Sequence, residues 1–234
     1  MEVRLVAHTP NPDQVCDMAA RTCTSSECPE LSIAVNKIRA LEHALASGHE
    51  SVAEHAVFTF QVEGISRACS HQLVRHRLAS YSQQSQRYVN MGGFEYVTPP
   101  SIGDRKIGST LDPITLQKYE FTLKEEYDAI MKNLQSAYRR LVEKHGVPEE
   151  DARYILPNAC TTNIIITMNA RELRHFFRER LCTRAQWEIR EMAERMLDEV
   201  KKVAPVLFED AGPKCQRLGY CPEAKGCGMT KERR

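Results

Sequence analysis

Between residues 57 and 63 apolar and polar side chains alternate, with Phe58, Phe60 and Val62 on one side and Thr59, Gln61 and Glu63 on the other. A period of two predicts a strand with one buried face. Residues 3–7 predict a shorter strand, and Ile164-Ile165-Ile166 predicts a buried one. Residues 88–97 predict a returning strand, with Gly92-Gly93 as a turn or bulge. Elsewhere the period lengthens to that of a helix. Pro12-Asp13 opens one through about Arg21, and Pro29-Glu30 opens a second whose apolar face is Ile33, Ile38, Leu41 and Leu45 and whose stop is Gly48. Ser51 and Glu54 have capping-box spacing, and Ser66 can cap a helix over residues 67–74. Pro99-Pro100 breaks the chain and residues 101–109 read as a loop. Asp112-Pro113 then starts a long helix to Gly146, in register at Leu116, Leu123, Tyr127, Ile130, Leu134, Tyr138 and Leu141. Pro148-Glu149-Glu150 opens a short helix ending before Pro157. Asn169 caps another, with Glu172 at its third position, and Thr183 with Gln186 restarts a helix through about Val203. The pattern predicts an α/β (α+β) fold, a mixed sheet flanked by helices, one of them long.

Composition narrows this. The 234 residues suit one large domain or two small ones; we expect a single domain over 1–210 and a cysteine-containing tail over 211–234. A formal net charge of +1 excludes a bulk polyanion binder and favours a small anionic ligand over nucleic acid. No apolar run approaches the ~20 residues of a membrane span. Nine cysteines without a leader sequence point to reduced thiols and a cytoplasmic location. The spacing of Cys16, Cys23 and Cys28, and of Cys215, Cys221 and Cys227, fits no common zinc pattern, so no metal is expected and the tail reads as disordered or docked on a partner.

The charge is local. From residue 64 to 94 there is no Asp or Glu, and residues 75–88 hold three arginines, three serines and three glutamines. A packed core does not take so many polar groups without partners. A solvated basic loop is one reading, but this stretch has no Gly, Pro, Asp or Lys. Guanidinium forks match phosphate and carboxylate, and Ser and Gln suit a base edge, so a pocket for a nucleotide is the other. Gln72 and Arg75 share a helix face. Arg153 lies among apolar residues, either as a snorkelling structural arginine or as a ligand contact. After Asn169 the 3.6 period puts Arg171, Arg174, His175 and Arg178 on one face and Arg180 beside Leu173, Phe176 and Phe177, where it needs a carboxylate or an anionic ligand.

Arg75-His76-Arg77, seven residues and then Ser85 resembles the motif of the flavin-dependent thymidylate synthases, and Arg87-Tyr88 match its longer form. Ser82 and Gln83 stand where many members have Asn and Glu. Further segments from His49 to Ile189 resemble the family in order. The resemblance implies reductive methylation of dUMP to dTMP, with 5,10-methylenetetrahydrofolate as carbon donor and FAD reduced by NADPH as hydride source. It implies flavin contacts at His49, Ser51, Arg75, His76, Arg77, Gln83, Asn169, Arg171 and His175. It implies dUMP contacts at Gln72, Arg75, Gln83, Gln84, Ser85, Gln86, Arg87, Arg153 and Arg180. Arg180 would hold the uracil and favour its N3 anion, so it is the catalytic candidate. Ser85 is assigned to nucleotide binding, since a serine nucleophile needs a base. A homotetramer with active sites at subunit interfaces is likewise implied. The alternatives are a colourless nucleotide- or RNA-binding module and a flavin oxidoreductase with another acceptor; an aromatic-rich RNA motif is absent from the sequence.

Overall fold

The first strand, β1 (Glu2–His8), runs antiparallel to β2 (Val57–Ser66), with Val3 opposite Val62 and Leu5 opposite Phe60. Along β2 the alternating apolar residues Phe58, Phe60 and Val62 are buried, as their period requires. The structure is a computed structural model that describes residues 1–31, 38–111 and 118–230. A third strand, β3 (Ala79–Gln83), lies in the same sheet, while β4 (Lys106–Leu111) and β5 (Lys118–Thr122) form a separate antiparallel pair. The last strand, β6 (Thr161–Asn169), completes the order β1-β2-β6-β3. The Ala170 amide donates to the Ala56 carbonyl at 2.8 Å, and the Thr59 and Thr167 hydroxyls meet at 3.0 Å. That register makes β2 and β6 antiparallel.

The helices are α1 (Pro12–Thr22), α2 (Arg39–Ala46), α3 (Arg67–Leu73), α4 (Leu123–Arg139), α5 (Glu149–Ala152), α6 (Ala170–Arg180), α7 (Trp187–Val203) and α8 (Lys214–Leu218). Asp17 of α1 accepts from the amides of Ala40 and Leu41, 3.1 Å each, and so satisfies the first turn of α2. Ser66 caps α3 through the Cys69 amide at 3.0 Å, as expected. Asn169 caps α6 through the Glu172 amide at 2.9 Å, also as expected. Gly48 and Gly146 adopt left-handed φ of +80° and +66°, which is why the chain turns there.

The described residues cluster into two compact units: Met1–Glu63, His71–Ser82 and Asn163–Arg234 in one, Gly64–Ser70 and Gln83–Thr162 in the other. In the first unit α1 packs on α2, α6 on α7 and α7 on β1. Its core includes Phe58, Ile166, Phe176, Phe177, Met192 and Phe208, with Phe208 edge-on to Phe58 at 5.4 Å and to Phe177 at 5.9 Å. The second unit has its own core of Met91, Phe94, Met131, Tyr138, Ala152 and Cys160.

Several sequence expectations change. Residues 29–31 are not helical, and the rest of the expected start of α2 lies outside the described residues, as do Asp112-Pro113. The turn at Glu50–His55 is a 3-10 helix with His49 at its N-cap and no side-chain cap, so Ser51 is not a capping residue. Residues 88–97 form no strand; a single bridge joins Tyr96 to Cys160. Residues 106–109, read as loop, belong to β4, and the long helix starts at Leu123 on a capping box of Thr122 and Glu125. Residues 79–83, within the stretch read as either a nucleotide pocket or a solvated loop, belong to β3. β6 is buried on one face only, Ile165 being 39% exposed. The cap of α7 is Gln186, whose side chain accepts from the Glu188 and Ile189 amides, and Thr183 is exposed ahead of it. The tail is folded onto its own chain. Arg184 donates to the Lys225 carbonyl at 3.0 Å, and a cavity of about 690 Å³ is lined by Cys182, Cys215, Cys221 and Cys227 together with the end of α6.

Candidate active site

In the first unit, α3 ends at Leu73 and the chain turns through Arg75-His76-Arg77 into β3. Tyr81 holds that turn: its hydroxyl lies 2.9 Å from the Leu73 carbonyl and 2.8 Å from the His76 carbonyl. Burial, with Glu172 nearby, raises the Tyr81 pKa and keeps the hydroxyl protonated. His76 is 5% exposed and sits edge-on to Phe176 at 5.0 Å. Arg75 and Arg77 flank it on the exposed side, and neither guanidinium is engaged in a hydrogen bond or ion pair within the described residues.

A cavity of about 440 Å³ is lined by Arg75, His76, Arg77, Glu172, His175 and Arg180, with Leu78 and Glu179. A second, of about 510 Å³, is lined by Asn169, Arg171, His175 and Arg178, with Glu50, Glu54, Leu78 and Glu172. The two share Leu78, Glu172 and His175, so they adjoin. The candidates Arg75, His76, Arg77, Asn169, Arg171, His175 and Arg180 are thus brought together from two distant segments. His49 and Ser51 are exposed and line neither cavity; Glu50 and Glu54 of the same turn do.

Arg180 is where the helical period puts it, and its protein partners are an imidazole and a backbone carbonyl rather than a carboxylate. Its Nε donates to His76 Nε2 at 3.0 Å and its Nη2 to the Gln72 carbonyl at 3.4 Å. The imidazole is therefore neutral. Burial lowers the His76 pKa to about 4, with Arg180 and His175 adding to the shift. On its other side His76 Nδ1 lies 3.3 Å from Glu172 Oε1. Burial raises the Glu172 pKa, opposed by His175. Among the described residues His76, Glu172 and His175 form the one cluster with metal-ligand spacing. Arg180 occupies His76 Nε2, and Arg75 and Arg77 stand alongside, so the field there opposes a cation.

The fully buried cation of α6 is Arg174, which the helical period groups with the exposed arginines. It is 2% exposed, forks onto Asp210 at 2.7 and 3.1 Å, and donates to the Leu207 carbonyl at 2.5 Å. Burial alone would raise the pKa of Glu50; Arg178, with Arg174 and Arg217, overrides it and holds it below the usual carboxylate range. Arg171 pairs with Glu54.

The second unit holds the candidates Gln83, Gln84, Ser85, Gln86, Arg87 and Arg153, whereas Gln72 belongs to the first. Gln83 donates its amide to Ser70 Oγ at 2.9 Å and Thr162 Oγ1 at 3.2 Å, a donor role that a carboxylate could not fill. Gln84 and Ser85 are half-buried, and Ser85 Oγ accepts from the Arg87 amide at 3.2 Å. Gln86 reaches Cys160 Sγ at 3.8 Å. Arg87 donates to Glu150 at 3.0 Å, and Arg153 Nε to the Glu150 carbonyl at 2.9 Å, so these two meet on one turn. Burial lowers the Arg67 pKa; Cys160 opposes the shift and Arg153 adds to it. No local pattern marks Glu50, Glu54, Glu150 or Glu179 as site neighbours. Glu172 is visible in the sequence only as a residue of the first turn.

A family profile described as thymidylate synthase complementing protein matches residues 4–206. A flavin-dependent thymidylate synthase of Clostridium tetani is 49% identical, over 99% of this chain and 95% of that protein. One of Geobacter sulfurreducens is 48% identical, over 99% and 96%. A crystal structure of the flavin-dependent thymidylate synthase of Helicobacter pylori, complexed with FAD and dUMP, shares the fold. Its TM-score is 0.69 at 24% identity, over 91% of this chain and all of that one. Among the described residues no helix is long and apolar enough to cross a membrane.

Proposed function

The chain belongs to the thymidylate synthase complementing protein family, and on that premise we propose that it is a flavin-dependent thymidylate synthase: a methyltransferase-type enzyme that uses FAD and converts dUMP to dTMP. The observation that carries the reading is the convergence of seven candidate residues on two adjoining cavities. The donor set fits a flavin dinucleotide. Arg75 and Arg77, unengaged among the described residues, suit its pyrophosphate, and Asn169, Arg171 and His175 suit its polar edges. We assign the carbon donor as 5,10-methylenetetrahydrofolate and the reductant as NADPH, because turning a one-carbon unit into a methyl group needs a hydride. Bound FAD supplies that hydride chemistry.

The chain's own residues bind and polarise. Arg87 and Arg153, with Gln83, Gln84, Ser85 and Gln86, are assigned to the nucleotide. Gln72 is assigned to it as well, its carbonyl already engaged by Arg180. Arg180 keeps Nη1 free of partners among the described residues, and that donor would face the uracil carbonyl region. A guanidinium there favours loss of the N3 proton and stabilises the ring anion. His49 and Ser51 remain assigned to the flavin on the resemblance; the same turn carries Glu50 and Glu54, which line the second cavity. We place the enzyme in the cytoplasm as a homotetramer with sites at subunit interfaces. The exposed Leu78, Tyr88 and Tyr154, each beside a candidate residue, support burial by another copy.

Purified protein should carry flavin absorption that bleaches with NADPH and should release dTMP from dUMP when the folate is present. Arg180→Ala should keep the flavin and lose about 10²–10³-fold in kcat. Turnover of dUMP by that variant at the normal rate would refute the role. A colourless protein with steeply salt-dependent RNA affinity would refute the enzyme.

A further inference from the structure

Arginine can only donate. Since Arg180 Nε donates to His76 Nε2 at 3.0 Å, that nitrogen carries the lone pair, and the single proton of the neutral ring is on Nδ1. Nδ1 then donates to Glu172 Oε1 at 3.3 Å. The three groups form a chain running from carboxylate through imidazole to guanidinium. Its inner members expose little surface, His76 5% and Glu172 6%, although both border the cavity. The Glu172 backbone is itself tied, its amide held by Asn169 Oδ1 at 2.9 Å. Phe176 stands edge-on to the ring at 5.0 Å and opposes its rotation.

We propose that Glu172 is a positioning residue: its carboxylate selects the Nδ1–H tautomer of His76, which leaves Nε2 to accept from Arg180 and so aims that guanidinium into the site. With the other tautomer, an Nε2–H would face the Nε–H of Arg180, donor against donor, and the bond would be lost. Arg180 would then be a long, rotamer-rich side chain held only by the longer contact to the Gln72 carbonyl at 3.4 Å. A carboxylate that fixes a histidine tautomer for a group beyond it is a familiar arrangement in enzymes. The inference deepens the proposed function and rests on its assignment of Arg180 to the pyrimidine.

The test uses the flavin-loaded enzyme with ¹⁵N-labelled histidine and the variants Glu172→Ala and Glu172→Gln. Nitrogen shifts should report His76 as Nδ1–H in the parent and in Glu172→Gln, whose amide oxygen still accepts, and as Nε2–H or a mixture in Glu172→Ala. Glu172→Ala should lose about 10–100-fold in kcat with KM for dUMP little changed, and Glu172→Gln should recover most of that loss. An unchanged tautomer in Glu172→Ala overturns the proposal. So does a switched tautomer with undiminished kcat while Arg180→Ala is inactive. If Arg180→Ala is itself fully active, the assignment of Arg180 has failed, and the positioning role falls with it although the tautomer result stands.

Discussion

His76 ties acid stability to the site. Its pKa is lowered by burial, then by Arg180 and His175, from an ordinary 6.5 to about 4. Above pH 6.5 the ring is neutral folded and unfolded. Between the two values the unfolded chain binds more protons. Stability should therefore fall as pH drops from about 6.5 to about 4, by roughly 3 kcal/mol in all. Urea unfolding of the parent and of His76→Gln across that window should show the slope in the parent and a shallower one in the variant. The exposed pair of Arg171 and Glu54, about half accessible on each side, behaves differently. Glu54→Gln should shift stability by less than about 1 kcal/mol, by the same measurement. Arg75, Arg77 and Arg87 were legible because residues 64–94 hold no carboxylate. Their partners were not: Glu150 lies 63 positions from Arg87, and Glu172 lies 96 from His76. Charge balance over a window carries no information at that separation.

Among the elements, those with a strong local signature came through. β2 alternates, Ser66 and Asn169 cap their helices, Gly48 ends α2, and Gly146 follows the π-helical turn Arg140–Lys144 that continues α4. The two missed strands share one cause. Residues 79–83 are polar and residues 106–109 read as loop, yet both are strands because backbone partners elsewhere accept their hydrogen bonds. Asp112-Pro113 offered good cap chemistry, but the strand β5 comes after it and Thr122 makes the cap that is used. Thr122 accepts from the Glu125 amide at 3.2 Å, and Glu125 accepts from the Thr122 amide at 2.7 Å. Thr122→Ala should cost about 1 kcal/mol in chemical denaturation and leave flavin binding intact.

At the level of the whole chain, the family match ends at residue 206, yet the fold depends on residues past that point. Asp13 accepts from the amides of Val206 and Leu207 at 3.0 Å, and Asp210 receives the fork of Arg174. Asp210→Ala would leave a buried guanidinium with the Leu207 carbonyl and the more distant Glu50 carboxylate, 3.6 Å from Nε, and should cost about 2–3 kcal/mol. Adding Arg174→Met should return much of that loss, because the stranded charge is gone; thermal unfolding of the single and double variants reads both. The burial of Arg174 was not legible in the sequence, since the helical period describes α6 alone and not the segment that lies over it.

The clasp on Arg174 bears on more than the tail. It grips α6 about 200° around the helix axis from Glu172. A helix held on opposite flanks cannot roll. The azimuth at which His175 and Arg180 project is therefore indexed by Arg174 and Asp210, which line neither cavity, although Arg174 also faces the cavity-lining Glu50 at 3.6 Å; loosening that grip would detune the site from its border.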